Sequence, residues 1–219
     1  MGEDFNFKAW MNMWLNSSGV NIIEPSPEGD FNIVQSCDLR GKNKLRQQKL
    51  DIGLYNDDGE VHIIEGIVIK DEHTPVDVTG VPEAFGPVKA IFVNQGEHAY
   101  AKVRFDHDSI QWFIKNLNKV QDSTTRGAIW RYFWMSVMEK SMKSSDFINF
   151  IVNQLPHEPE ERILMTGLMQ LRALINNYLP VELVAEKKAA LFDAIYGVIL
   201  KGTATLEPMA DQLFGFIST

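Results

Sequence analysis

The sequence predicts an α+β chain: a small antiparallel β-sandwich followed by an α-helical hairpin array. Three observations carry this. Short runs of period-2 alternation fill residues 31–106, with turn formers between them. Apolar residues from 107 onward recur at helical spacing. The change of period is abrupt: Ala101, Val103 and Phe105 alternate with Tyr100, Lys102 and Arg104, and then Ile110, Phe113, Ile114 and Leu117 follow a 3.6-residue repeat. The expected organisation is therefore a short helix and loop over 1–30, a sandwich over 31–106 and a helical domain over 107–219.

Residues 5–16 read as an amphipathic helix with Phe7, Trp10, Met11, Trp14 and Leu15 on one face, ended by Ser17-Ser18-Gly19. The segment Glu24-Pro25-Ser26-Pro27-Glu28-Gly29-Asp30 reads as a loop. A strand is expected over Phe31 to Asp38, and another where Leu50, Ile52 and Leu54 alternate with Lys49, Asp51 and Tyr55. Asp57-Asp58-Gly59 predicts a hairpin turn, because glycine tolerates the positive φ such turns need. Val61 to Ile69 is rich in β-branched residues and suits the returning strand. Pro75, Gly80 and Pro82 punctuate a further extended stretch, and Ala90 to Val93 is short and apolar.

In the second half, Asp122-Ser123 predicts the N-cap of a helix with Ile129, Trp130, Phe133, Trp134, Val137 and Met138 on one side. Ser144-Ser145-Asp146 starts the next, with Phe147, Ile151 and Leu155. Pro159 suits the first position of a third, with Glu160 and Glu161 near its positive end. Pro180 opens a fourth helix, and Thr205 to Pro208 a fifth. Helices of this length with short joints form hairpin arrays.

The bulk composition excludes several classes. At 219 residues with 45% apolar side chains and five Trp, the chain can bury one sizeable core or two small ones. The net charge of −8 disfavours a nucleic-acid platform. No apolar run is long enough to span a membrane, and Met1-Gly2-Glu3-Asp4 lacks the features of a signal peptide. Asn6 makes a poor myristoylation context for Gly2. The single cysteine, Cys37, excludes an internal disulfide and suits a reducing, intracellular and cytoplasmic setting. Its place in a strand favours a buried small side chain over a nucleophile.

Four stretches, in order, resemble the aminopeptidase N family of zinc aminopeptidases. Trp10-Met11-Asn12-Met13-Trp14-Leu15-Asn16-Ser17-Ser18-Gly19-Val20-Asn21 is similar to the end of that family's catalytic domain. Leu50-Asp51-Ile52-Gly53-Leu54-Tyr55 resembles a strand of the sandwich that follows it. Asn94, Tyr100 to Asp106 and Ser109 resemble the sandwich-to-helix junction, and Arg126 with Trp130 and Trp134 the first long helix of the C-terminal domain. There are departures. Leu45-Arg46-Gln47-Gln48 lacks the family's Pro-His, Gln95-Gly96 stands for an acidic pair, and the helical part ends early. The resemblance implies peptide hydrolysis with zinc in full-length relatives.

That chemistry requires His-Glu-x-x-His on a helix and a second Glu downstream. His62, His73, His98, His107 and His157 contain no such pair, and Pro159 with no His at 161 rules out His157-Glu158 as its start. Asp71-Glu72-His73 and Glu97-His98 read as loop or strand-edge charges, or as weak metal-ligand candidates. No phosphate loop, nucleophile elbow or dinucleotide fingerprint is present. Glu160-Glu161-Arg162 reads as a solvated helix start before acid–base machinery, and Lys102 and Arg104 beside Asp106 as structural ion pairing before a carboxylate site. The Trp130, Phe133, Trp134 stripe reads as core, packing the array onto the sandwich. The expected function is a non-catalytic C-terminal portion of an aminopeptidase N-like protein. The alternative is a stand-alone structural or interaction subunit. Catalytic and metal residues are expected to be absent, and no cofactor is expected in this chain. The expected partner is a protein or the missing catalytic domain, through an interface at Phe7, Trp10, Met11 and Trp14.

Overall fold

The computed structural model describes residues 5–26, 31–37, 44–199 and Gly215, and the chain splits into two compact units between Ile110 and Gln111. The fold class is α+β, with two small sheets in the first unit and helices in the second.

The first unit opens with α1 (Phe7–Leu15). The Asn6 side chain caps it, accepting from the Ala9 N–H at 2.9 Å. Beyond the helix Gly19 takes a φ of 77°, which turns the chain towards the first strand. Among the described residues seven strands follow: β1 (Asn21–Ser26), β2 (Asn32–Cys37), β3 (Gln48–Tyr55), β4 (Val61–Ile69), β5 (His73–Pro75), β6 (Ala90–Gln95) and β7 (Ala101–Val103). They form a four-stranded sheet ordered β5-β2-β1-β7 and a three-stranded sheet ordered β4-β3-β6. All pairings are antiparallel except β1 with β7, which is parallel. Ile23, Ile33, Leu50, Ile52, Phe92, Val93 and Val103 supply the apolar core.

Two expectations change here. Residues 24–26, read as loop, are the end of β1, while 27–30 lie outside the described residues, as does Asp38. Pro25 is tolerated because β7 pairs only with Asn21–Ile23, so at Pro25 the strand has β2 alone as neighbour and no donor is needed on the far side. The strand expected over Tyr100 to Asp106 is only three residues long. Val103 is buried, but Ala101 and Phe105 are half-buried, and Phe105 stacks on Phe92 at 5.8 Å. Pairing ends where the Arg104 N–H reaches the Ile23 carbonyl at 2.9 Å. Asp106 then starts α2 (His107–Asn116), accepting from the Ser109 N–H at 2.8 Å. The division between the units falls within α2.

The Asp57-Asp58-Gly59 turn is present, with Gly59 at φ 85°. The Asn56 carboxamide holds it, accepting from the Asp58 and Glu60 N–H groups at 3.0 Å each.

The second unit contains α3 (Ser123–Met138), α4 (Ser144–Gln154), α5 (Glu161–Asn177) and α6 (Val181–Ile199). Asp122 caps α3 as expected. Pro159 and Pro180 both precede their helices: Glu160 is the N-cap of α5, and the Pro180 carbonyl accepts from Leu183 and Val184 ahead of the first full turn. The fifth expected helix, Thr205 to Pro208, lies outside the described residues. Buried positions surround nearly the whole of α3, so it is a central helix and not an amphipathic one. The aromatic partners of Trp130, Phe133 and Trp134 include Phe150, Phe147 and Tyr178, all on helices of the same unit or at their ends.

Candidate functional site

In the first unit a cleft of about 710 Å³ opens between α1, the exposed face of β3–β4 and the turn before β7. Helical spacing places Trp10 and Trp14 one turn apart on the same side of α1. The Trp10 indole donates to the Gln47 carbonyl at 2.8 Å, which ties the helix to the entry of β3. The Arg46 guanidinium lies 4.7 Å from the Trp14 ring centroid. Arg46 is fully buried and donates to Asn21 Oδ1 at 3.1 Å, Ser17 Oγ at 2.7 Å and the Ser18 carbonyl at 3.1 Å. One guanidinium thus fixes the end of α1, the loop after it and the start of β1. The aromatic wall continues from Trp10 to Trp14 at 6.1 Å and from Trp14 to Tyr100 at 5.9 Å between centroids.

The floor is polar. β3 contributes Gln48, Lys49 and Asp51, and β4 contributes Glu65 and Gly66. The β3 ladder changes register between Leu50 and Ile52. At this irregularity the Asp51 carboxylate accepts from the Gly66 N–H at 2.7 Å. Its other oxygen lies 3.3 Å from Nε2 of His98. Gly96 at φ 71° and Glu97 at φ 57° turn the chain so that His98 reaches back over Asp51. A Cβ on Gly96 would come within 2.7 Å of the imidazole, so a larger residue there would strain the backbone and push His98 away from Asp51.

This arrangement is suited to binding. The lining holds a carboxylate–imidazole pair but no serine or cysteine beside it to activate. The zinc implied by the resemblance does not fit the residues present. His62 packs against Phe85, His73 sits beside Glu72, His98 beside Asp51, and no group of three His, Cys, Asp or Glu among the described residues could hold a metal ion.

The four expected interface residues separate. Trp10 and Trp14 are half-buried in the cleft wall, whereas Phe7 and Met11 are exposed, at 62% and 37%, together with Leu15. Cys37 is free and half-buried on β2. Sequence reading did not find Lys49, Asp51 and His98 as one site. The signal available was Gly96-Glu97-His98, a turn able to aim a histidine at a neighbouring strand. It also passed over Arg46, counted only as a departure from a family pattern. Arg126, noted for its resemblance, is a structural node. Its guanidinium donates through Nε and Nη2 to the two Glu158 carboxylate oxygens at 2.9 Å each, and through Nη1 to the carbonyls of Val120 and Gln121 at 2.9 Å.

No family model matches the chain. In sequence it is similar to the Aminopeptidase N of Streptomyces lividans, 22% identical over 187 residues. The alignment covers 79% of the chain and 22% of that relative, so the chain spans well under two thirds of the relative's length. Among solved structures, Legionella pneumophila aminopeptidase A in complex with aspartic acid overlays with a TM-score of 0.38 and 12% identity, over 90% of this chain and 26% of that one. A likeness at that score carries no argument.

Proposed function

We propose that this chain is a non-catalytic C-terminal region of an aminopeptidase N-like protein, supporting a catalytic portion that removes N-terminal residues from peptides with zinc. The observation that carries this is the pairing of a sequence match to aminopeptidase N with a residue set that contains no two-histidine zinc helix. The region would act by bracing the catalytic portion and limiting access to its site. The isolated chain should not hydrolyse aminoacyl arylamides and should hold no stoichiometric zinc. Metal analysis that finds one tightly bound zinc per chain, with chelator-sensitive hydrolysis, overturns the reading.

A second reading, an inactive interaction subunit derived from an aminopeptidase, draws on α1. Phe7, Met11 and Leu15 lie four residues apart and face outward, an apolar stripe without cover among the described residues. On either reading the partner is a protein and not nucleic acid, in keeping with the net charge of −8, and the compartment is the reducing cytoplasm, in keeping with one free cysteine. Among the described residues no helix is long and apolar enough to cross a membrane. Changing Phe7 and Met11 to Ser should leave the melting temperature within a degree or so, since exposed substitutions usually shift stability by under about 0.5 kcal/mol. It should also weaken binding to a separately produced catalytic portion in size-exclusion chromatography. Unchanged co-elution would remove α1 from the interface.

A further inference from the structure

We draw no further inference here: the strongest candidate, the cleft between α1 and the β3–β4 face, carries nothing, because its aromatic wall and a floor of mixed charge at Lys49, Asp51 and Glu65, with the Arg46 cation against Trp14, select no one class of ligand, and nothing in the structure shows what covers it.

Discussion

Two helices, α1 in the β unit and α3 in the helical unit, use the same residue types in opposite ways. In the β unit, Trp10, Trp14 and Tyr100 stand at half-buried or exposed positions and line a cleft. In the helical unit, Trp130, Phe113, Phe133, Phe147 and Phe150 are at most 1% exposed and pack ring on ring, with Trp130 and Phe150 4.4 Å apart. Both units also tie segments together through buried polar groups. In the helical unit Arg126 meets acceptors at Nε and at both terminal nitrogens, and the Gln154 carboxamide closes a second node by donating to the Ile114 carbonyl at 2.8 Å and accepting from the Asn118 N–H at 2.9 Å. In the β unit the buried Arg46 guanidinium plays the same part, donating to Asn21 Oδ1, Ser17 Oγ and the Ser18 carbonyl. The comparison separates two meanings of an aromatic stripe. Where neighbours enclose the helix on all sides, as around α3, the stripe is core. Where the helix meets the rest of its unit along one edge, as at α1, the same residue types form the wall of a cleft.

If the helical unit owes its integrity to its closed polar node, cutting that node should be the most damaging change in the molecule. Glu158→Ala leaves the Arg126 guanidinium buried without its carboxylate and also removes the acceptor for the Glu160 N–H. The expected loss is about 3–5 kcal/mol in denaturant unfolding. Arg126→Met combined with Glu158→Leu should be far milder, because no charge is left buried. A single variant no worse than the double one would show that the pair is dispensable and that the helical unit is held by its aromatic packing alone.

The β unit should respond most to a charge in its core. Val103 is 3% exposed and pairs opposite Ile23 in the parallel ladder. Val103→Asp places an uncompensated carboxylate there and should cost about 3 kcal/mol or more, read as a lowered melting temperature. A soluble variant with an unchanged melting temperature would mean that the strand is not packed against the other sheet.

How far these features could be read from sequence follows from their range. The change of period after Tyr100 to Asp106, the Asp57-Asp58-Gly59 turn and the Asp122 cap depend on neighbours a few residues away, and each lies where the sequence places it. β1 was missed because Pro25 and Ser26 carry turn chemistry locally, while their strand conformation is set by pairing with Ile33 and Asn32. The cleft was half legible. Periodicity puts Phe7, Trp10, Met11 and Trp14 on one face of α1, whereas only Trp10 and Trp14 line the cleft. Asp51 and His98 meet only because the irregularity in β3 and the left-handed turn at Gly96 and Glu97 bring distant segments together. Glu158 is weighed in the sequence only as part of a zinc motif, and its pairing with Arg126 is not legible because the two are 32 residues apart. Interior polar pairs of this kind carry no periodic signal.

The smallest expected effect lies at the edge of the helical unit and tests whether its stability resides in the core. The Asp122 side chain accepts from the Thr124 and Thr125 N–H groups at 3.3 and 2.8 Å, and from the Thr125 hydroxyl at 2.6 Å. Burial by itself would raise the carboxyl's pKa; the hydrogen bonds from Thr125 and Thr124 and the charge of Arg126 together outweigh it and hold the group below its ordinary value. A carboxylate whose pKa is depressed in the folded state contributes stability above its unfolded pKa, about 4, and loses it as pH falls through the lower folded value. Asp122→Ala should therefore cost about 1 kcal/mol at neutral pH, the usual worth of an N-cap. The gap from the parent should narrow progressively below about pH 4 as the parent's own carboxylate is protonated. Asp122→Asn keeps a cap acceptor without the charge, so it should lose less, and its deficit should also fade in acid. Denaturant titrations of the three chains at neutral and acid pH separate these effects. A deficit for Asp122→Ala as large as that for Glu158→Ala would move the weight of the helical unit from its buried pair to its rim.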